Sequence, residues 1–166
     1  MKCYMIGHGA KGFPFERIPD IDEFVLYRSK IYKKIEELIN LGYSTFITGL
    51  NNGADLDFGF AVIFLRDSAY YDISFEIALP YNFKPSQKST DVFINKMYLL
   101  EMSDSIQTLS SVCKKQRTQK STENMIDNAD LILAVWNGKK RGSIWSAIKL
   151  AQKKEKKIEY IMLNEK

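Results

Sequence analysis

Apolar positions along this chain alternate between two spacings, and each change of spacing marks a change of element. Residues 2–6 form a short apolar run that ends in Gly7-His8-Gly9, a strand followed by a turn. Residues 10–20 hold Gly12, Pro14 and Pro19 and read as a loop. Phe13 and Phe15 flank Pro14, placed either to close over a ligand or to pack. Asp20 or Asp22 can cap a helix that runs to about residue 41. Along it Phe24, Tyr27, Ile31, Ile35, Leu38 and Ile39 keep the spacing of one helical face, and Gly42 ends it.

The same alternation continues downstream. Residues 43–48 are rich in strand formers and lead into Gly49-Leu50-Asn51-Asn52-Gly53. A helix is predicted from about Gly53 to Asp67, with Asp55 and Asp57 in its first turn, where acids suit the helix dipole. Residues 72–79 alternate Ile73, Phe75, Ile77 and Leu79 against Ser74, Glu76 and Ala78, the pattern of an edge strand with one solvated face. After a loop from Pro80 to Pro85, a helix over 89–102, a short strand over 104–110 and a polar helix over 113–128 are predicted. Residues 130–136 are nearly unbroken apolar residues, as in a central parallel strand buried on both faces. Gly138-Lys139-Lys140-Arg141-Gly142 follows, then a helix carrying Ile144, Ala147, Ile148 and Ala151, and a last strand over 158–163.

Strands alternating with helices give an α/β domain with a doubly wound, mainly parallel sheet, in the default order 3-2-1-4-5. The 166 residues suffice for a single domain, taken as 1–166. Apolar residues at 45% and charged residues at 27% are ordinary for a soluble chain. No apolar run reaches the roughly 20 residues of a membrane span, so no membrane partner is expected. Cys3 and Cys113 are too far apart in sequence for a disulfide framework or a zinc site and read as reduced, hence cytoplasmic. The net charge of +4 is too small to require nucleic acid. One basic cluster, Lys114, Lys115, Arg117 and Lys120, keeps that partner in view without favouring it.

In such sheets ligands lie beyond the carboxyl ends of the strands, near the switch in strand order. Three glycine turns converge there: Gly7-His8-Gly9, Gly49 to Gly53, and Gly138 to Gly142. Glycine allows close backbone approach, and the following helix offers free N–H groups to an anion. The spacings are neither G-x-G-x-x-G nor a P-loop, which disfavours a dehydrogenase or a kinase. The candidate ligand-binding residues are Gly7, His8, Gly9, Thr48, Gly49, Asn51, Asn52, Gly53, Ala54, Asp55, Trp136, Asn137, Gly138, Gly142 and Ser143. Several keep a second reading. His8 is a ligand contact or a plain turn residue. Asn51 and Asn52 suit left-handed turn geometry. Ser143 donates to a phosphate or caps its helix. Trp136 stacks on a base or packs in the core. Asp55 faces a ribose, stabilises positive charge as the first catalytic candidate, or is a simple first-turn acid. Glu76 is the second catalytic candidate, or a solvated or paired side chain. No metal ligand set and no cofactor is called for.

In order and spacing these motifs resemble the SLOG superfamily of Rossmann-like domains, most closely its YpsA-like branch of phage and Firmicute type. The resemblance rests on Ile6-Gly7-His8, on Phe46-Ile47-Thr48-Gly49 with Gly53-Ala54-Asp55, and on Met125-Ile126-Asp127 with 129–136 and Gly142-Ser143. It implies a three-layer Rossmann-like fold and a nucleotide-like small-molecule ligand, such as a nucleoside phosphate or an ADP-ribose-like signal. It implies a possible homo-oligomer paired through helices, with 89–102 one candidate stretch. Relatives of this superfamily include LOG-type phosphoribohydrolases and the single-stranded DNA binder DNA-processing protein A. Three readings follow: a nucleotide sensor or sponge, a nucleotide N-glycosidase, and a single-stranded DNA-binding accessory protein that uses the basic cluster with Tyr98 and Trp136. The arginine that often follows the family's first Thr-Gly-His turn is absent, since Gly9-Ala10 stands there. The Pro-Gly-Gly-x-Gly-Thr signature of the phosphoribohydrolases is missing as well. Both departures favour a binder over a catalyst.

Overall fold

A computed structural model describes residues 1–19, 21–80, 84, 89–109 and 117–164. Six parallel strands form one sheet: β1 (Lys2–Gly7), β2 (Thr45–Thr48), β3 (Ser74–Pro80), β4 (Ser105–Leu109), β5 (Leu131–Trp136) and β6 (Lys157–Met162). Their order is β4-β3-β2-β1-β5-β6. Five helices connect them: α1 (Asp22–Asn40), α2 (Ala54–Ser68), α3 (Thr90–Met102), α4 (Arg117–Asn128) and α5 (Gly142–Lys153). With the short β4 set aside, the order is the expected 3-2-1-4-5; β4 adds to the outer side of β3.

The apolar runs of β1 and β5 are explained by the two cores they feed. Cys3, Met5, Leu131, Leu133 and Val135 enter one core with the buried stripe of α1 and most of α2. Tyr4, Ile6, Ile132 and Ala134 enter the other with Met125 and Ile126 of α4 and Ala147, Ile148 and Ala151 of α5. A strand covered on both faces has no polar side to show. α2 packs against α1, α3 and the first three strands, which is why it is apolar nearly all round. The stretch over 89–102 buries only Leu99 fully and leaves Ile94, Met97 and Tyr98 exposed.

Two expectations change. Residues 72–79 are not an edge strand: β3 pairs with β2 on one side and β4 on the other. Its polar positions form a seam across the sheet face. Glu76 accepts a hydrogen bond from Gln107 Nε2 at 2.8 Å and lies 3.8 Å from Lys2 Nζ. Half-buried polar partners on neighbouring strands thus produce the alternation that an open edge would. At the start of α1, Ile21 occupies the N-cap and makes no side-chain cap, while Asp22 and Glu23 lie in the first turn; Asp20 lies outside the described residues.

Cys3 is fully buried and free, and burial pushes its thiol pKa well up. Cys113, Lys114 and Lys115 lie outside the described residues. Among the described residues no helix is long and apolar enough to cross a membrane.

Candidate functional site

The chain runs outward from β1 through β2, β3 and β4, then returns to place β5 on the other side of β1. The carboxyl ends of β1 and β5 are level, with Gly7 opposite Val135. The loops that leave them diverge, and a cleft of about 440 Å³ opens between. His8, Lys11, Gly12, Phe13 and Pro14 form one wall. Asn137, Lys139, Arg141 and Gly142 form the other, and Asn164 comes from beyond β6. Lys11, Lys139 and Arg141 make the lining cationic, and among the described residues none of the lining is acidic. Lys140 turns away, its ammonium 5.9 Å over the Trp145 ring.

Gly142 opens α5 at the cleft with φ of +83°, preceded by Arg141 in extended conformation and with no side-chain cap. No atom lies within 4 Å of where a Cβ on Gly142 would sit. Ser143 does not cap the helix; it is exposed in the first turn. An uncapped helix start among cations is favourable for an anion.

Asn137 braces the two walls. It is 8% exposed. Its Nδ2 donates to the Gly12 carbonyl at 3.1 Å, and its Oδ1 accepts from the Lys139 N–H at 3.1 Å. Asn164 Nδ2 donates to the Asn137 carbonyl. His8 Nε2 is shut off from solvent and has no hydrogen-bond partner among the described residues. Burial holds the His8 pKa below the ordinary imidazole value; Asn137 opposes that shift and Lys139 adds to it. The ring is therefore neutral near pH 7.

The turn after β2 is built differently. Gly53 has φ of +96°, and a Cβ there would lie 2.6 to 2.7 Å from backbone atoms of His8, Gly9 and Ala10. This close approach lets the Ala54 N–H donate to the His8 carbonyl at 3.1 Å. Asp55 is 2% exposed and accepts at Oδ2 from both the N–H and the Nδ2 of Asn51, each at 2.9 Å. Burial pushes the Asp55 carboxyl up to about 6, against the pull of Asn51, the Thr48 hydroxyl and Lys96. Gly49 floors this knot, with room for a Cβ only 3.3 Å from Asn51 Nδ2 and 3.4 Å from Asp55 Oδ2. Arg17 clamps the loop after β1 onto α2. Its Nη2 lies 2.6 Å from both Asp57 oxygens and 3.4 Å from the Gly53 carbonyl. Its guanidinium covers Phe13 at 5.1 Å and Phe24 at 5.5 Å. Phe13 and Phe15 pack edge-on against each other and around Tyr27, with Phe13 also on the cleft wall.

The candidate residues therefore fall into separate groups. His8, Asn137 and Gly142 line the cleft. Thr48, Gly49, Asn51, Gly53, Ala54 and Asp55 form the closed turn after β2. Gly7 lies beneath both, with Ala54 Cβ and Val135 Cβ 2.5 and 3.2 Å from where its own Cβ would be. Gly9 faces the Asn52 carbonyl, and Gly138 faces Met162. Trp136 stacks on Trp145 with ring centroids 5.6 Å apart and lies 6.0 Å from Tyr160. Tyr98 stacks on Phe60 in the opposite layer, so it shares no surface with Trp136. Phe13, which the sequence offers either to close over a ligand or to pack, lies on this wall, and Lys11, Gly12, Pro14, Lys139, Arg141 and Asn164 complete the cleft without being candidates. Only the basic run enclosed by Gly138 and Gly142 announces two of them in the sequence.

This arrangement, a doubly wound parallel sheet with a cleft at its switch point, is that of a Rossmann-like domain. The model of the YspA SLOG family matches residues 20–164, and the chain belongs to that family. No curated protein matches the chain. Family membership points to a nucleotide-related function in general.

Proposed function

We propose that the domain binds a phosphate-bearing nucleotide derivative in the cleft between the β1 and β5 loops. The observation that carries this reading is the cationic lining: Lys11 on one wall and Lys139 and Arg141 on the other flank the uncapped start of α5, with no acidic residue among the described lining residues. Phosphate would sit at Gly142 and Ser143, and Phe13 and Pro14 would offer apolar surface to the nucleoside. Asn137 would act as a brace, and neutral His8 as a hydrogen-bonding group.

Binding without cleavage is the better supported activity. Glycosidic hydrolysis needs a carboxylate beside the sugar. Asp55 is buried and committed to Asn51, and Glu76 is paired with Gln107 and lies beside Lys2. A domain that holds a nucleotide without turnover serves as a sensor or a sponge of a nucleotide signal. Calorimetric titration against a panel of nucleotides tests the proposal. Saturable binding that weakens at high salt is expected; silence across the panel would end it.

A further inference from the structure

We infer that the cleft selects ligands with two linked phosphates over those with one. This rests on the nucleotide reading above and specifies its ligand class. The cations stand on both walls: Lys11 comes from the loop after β1, and Lys139 and Arg141 from the loop after β5. The positive end of α5 joins the second pair. His8 adds no charge, because burial keeps its imidazole neutral.

A phosphomonoester carries about 1.5 to 2 negative charges near neutral pH. Placed at Gly142, it is matched by Arg141, Lys139 and the helix end. Lys11 on the facing wall is then left without an anion, and among the described residues no acidic lining residue compensates it. A second, linked phosphate would supply the missing charge on the side of the cleft that Lys11 lines. The space of about 440 Å³ accommodates that group together with a nucleoside part. Arg141 offers a planar fork to one phosphate and Lys11 a point charge to the other, so the two contacts are separable by substitution.

The experiment is calorimetry on the intact protein with orthophosphate, pyrophosphate, and the mono- and diphosphates of adenosine and guanosine. One further charge-assisted contact is worth about tenfold or more in affinity. Diphosphates are expected to bind about tenfold tighter than the matching monophosphates, and pyrophosphate tighter than orthophosphate. Lys11→Ala is expected to abolish the preference by weakening the diphosphates about tenfold more than the monophosphates. Lys11 is exposed at the rim, so an unchanged denaturation midpoint shows that folding is intact. Equal affinity for mono- and diphosphates would overturn this inference and leave the nucleotide reading standing. A preference that survives Lys11→Ala would overturn it too. If no nucleotide binds at all, both fall.

Discussion

The turns after β2 and β5 look alike as sequence and differ as structures. Each has two glycines four residues apart, follows an apolar strand and opens a helix. The β2 turn is closed on itself: the Asn51 N–H goes to Asp55, the Ala54 N–H to the His8 carbonyl, and Gly53 touches the backbone of the neighbouring loop. Neither helix start has a side-chain cap, but the β5 turn is open, with Gly142 facing empty space between cations. A glycine turn before a helix is therefore an anion cradle only if the protein has not already used its donors. Where it has, the glycines serve packing.

The sharpest way to break this contrast is to add one methyl group to each turn. Gly53→Ala combines a positive φ with a clash against backbone that cannot move aside, and should cost about 3 kcal/mol. Gly142→Ala meets only the conformational penalty, about 1 kcal/mol, because its Cβ has no neighbour. Denaturant titration of both variants measures the difference. Equal losses would mean the two turns are equally packed.

Next in size is Asp55→Ala, which removes the shared acceptor of two part-buried Asn51 donors and should cost about 1–2 kcal/mol. The same carboxyl makes stability depend on pH. Its pKa of about 6 in the folded protein lies above the unfolded value of about 3.9. The native state thus holds the proton more tightly, and stability falls as pH rises between those values. The stability of the natural protein relative to Asp55→Asn should decline by about 2 kcal/mol from pH 4 to pH 6 and level off above about pH 7. A natural protein that gains stability relative to Asp55→Asn as pH rises would contradict the buried, raised carboxyl.

The smallest effect on folding is expected on the open side. Arg141→Ala should leave the denaturation midpoint unchanged while weakening phosphate-bearing ligands about tenfold, read by calorimetry. Asn137→Ala falls between the two regions. Loss of its bonds to Gly12 and Lys139 should cost about 1–2 kcal/mol of stability and also weaken binding.

Much of this architecture was legible in the chain. The unbroken apolar run of β5 and the spacing in α1 follow from burial on two faces and on one stripe. β3 reads as an edge because Glu76 finds polar partners in Gln107 and Lys2 across the sheet, which an alternating pattern alone does not distinguish from solvent. The convergence of loops at the switch point follows from topology, but the division of labour among them does not. Whether Asp55 faces a ligand or Asn51 depends on how a few donors in one loop are spent. Lys11 and Asn164 reach the cleft only through the paths of the loop after β1 and the segment after β6. The arginine missing after His8 reads in sequence as a lost phosphate contact. In the fold, Lys11 and the Lys139–Arg141 pair place positive charge in that same cleft.

The most direct measurement follows backbone amide signals by nuclear magnetic resonance while a nucleoside diphosphate is titrated into isotope-labelled protein. The amides of Gly142 and Ser143 should shift saturably together with Lys11, and those of Asn51 and Ala54 should stay close to their starting positions. Shifts centred on Asn51 and Ala54, with Gly142 and Ser143 unmoved, would show that the closed turn is the cradle and contradict the account.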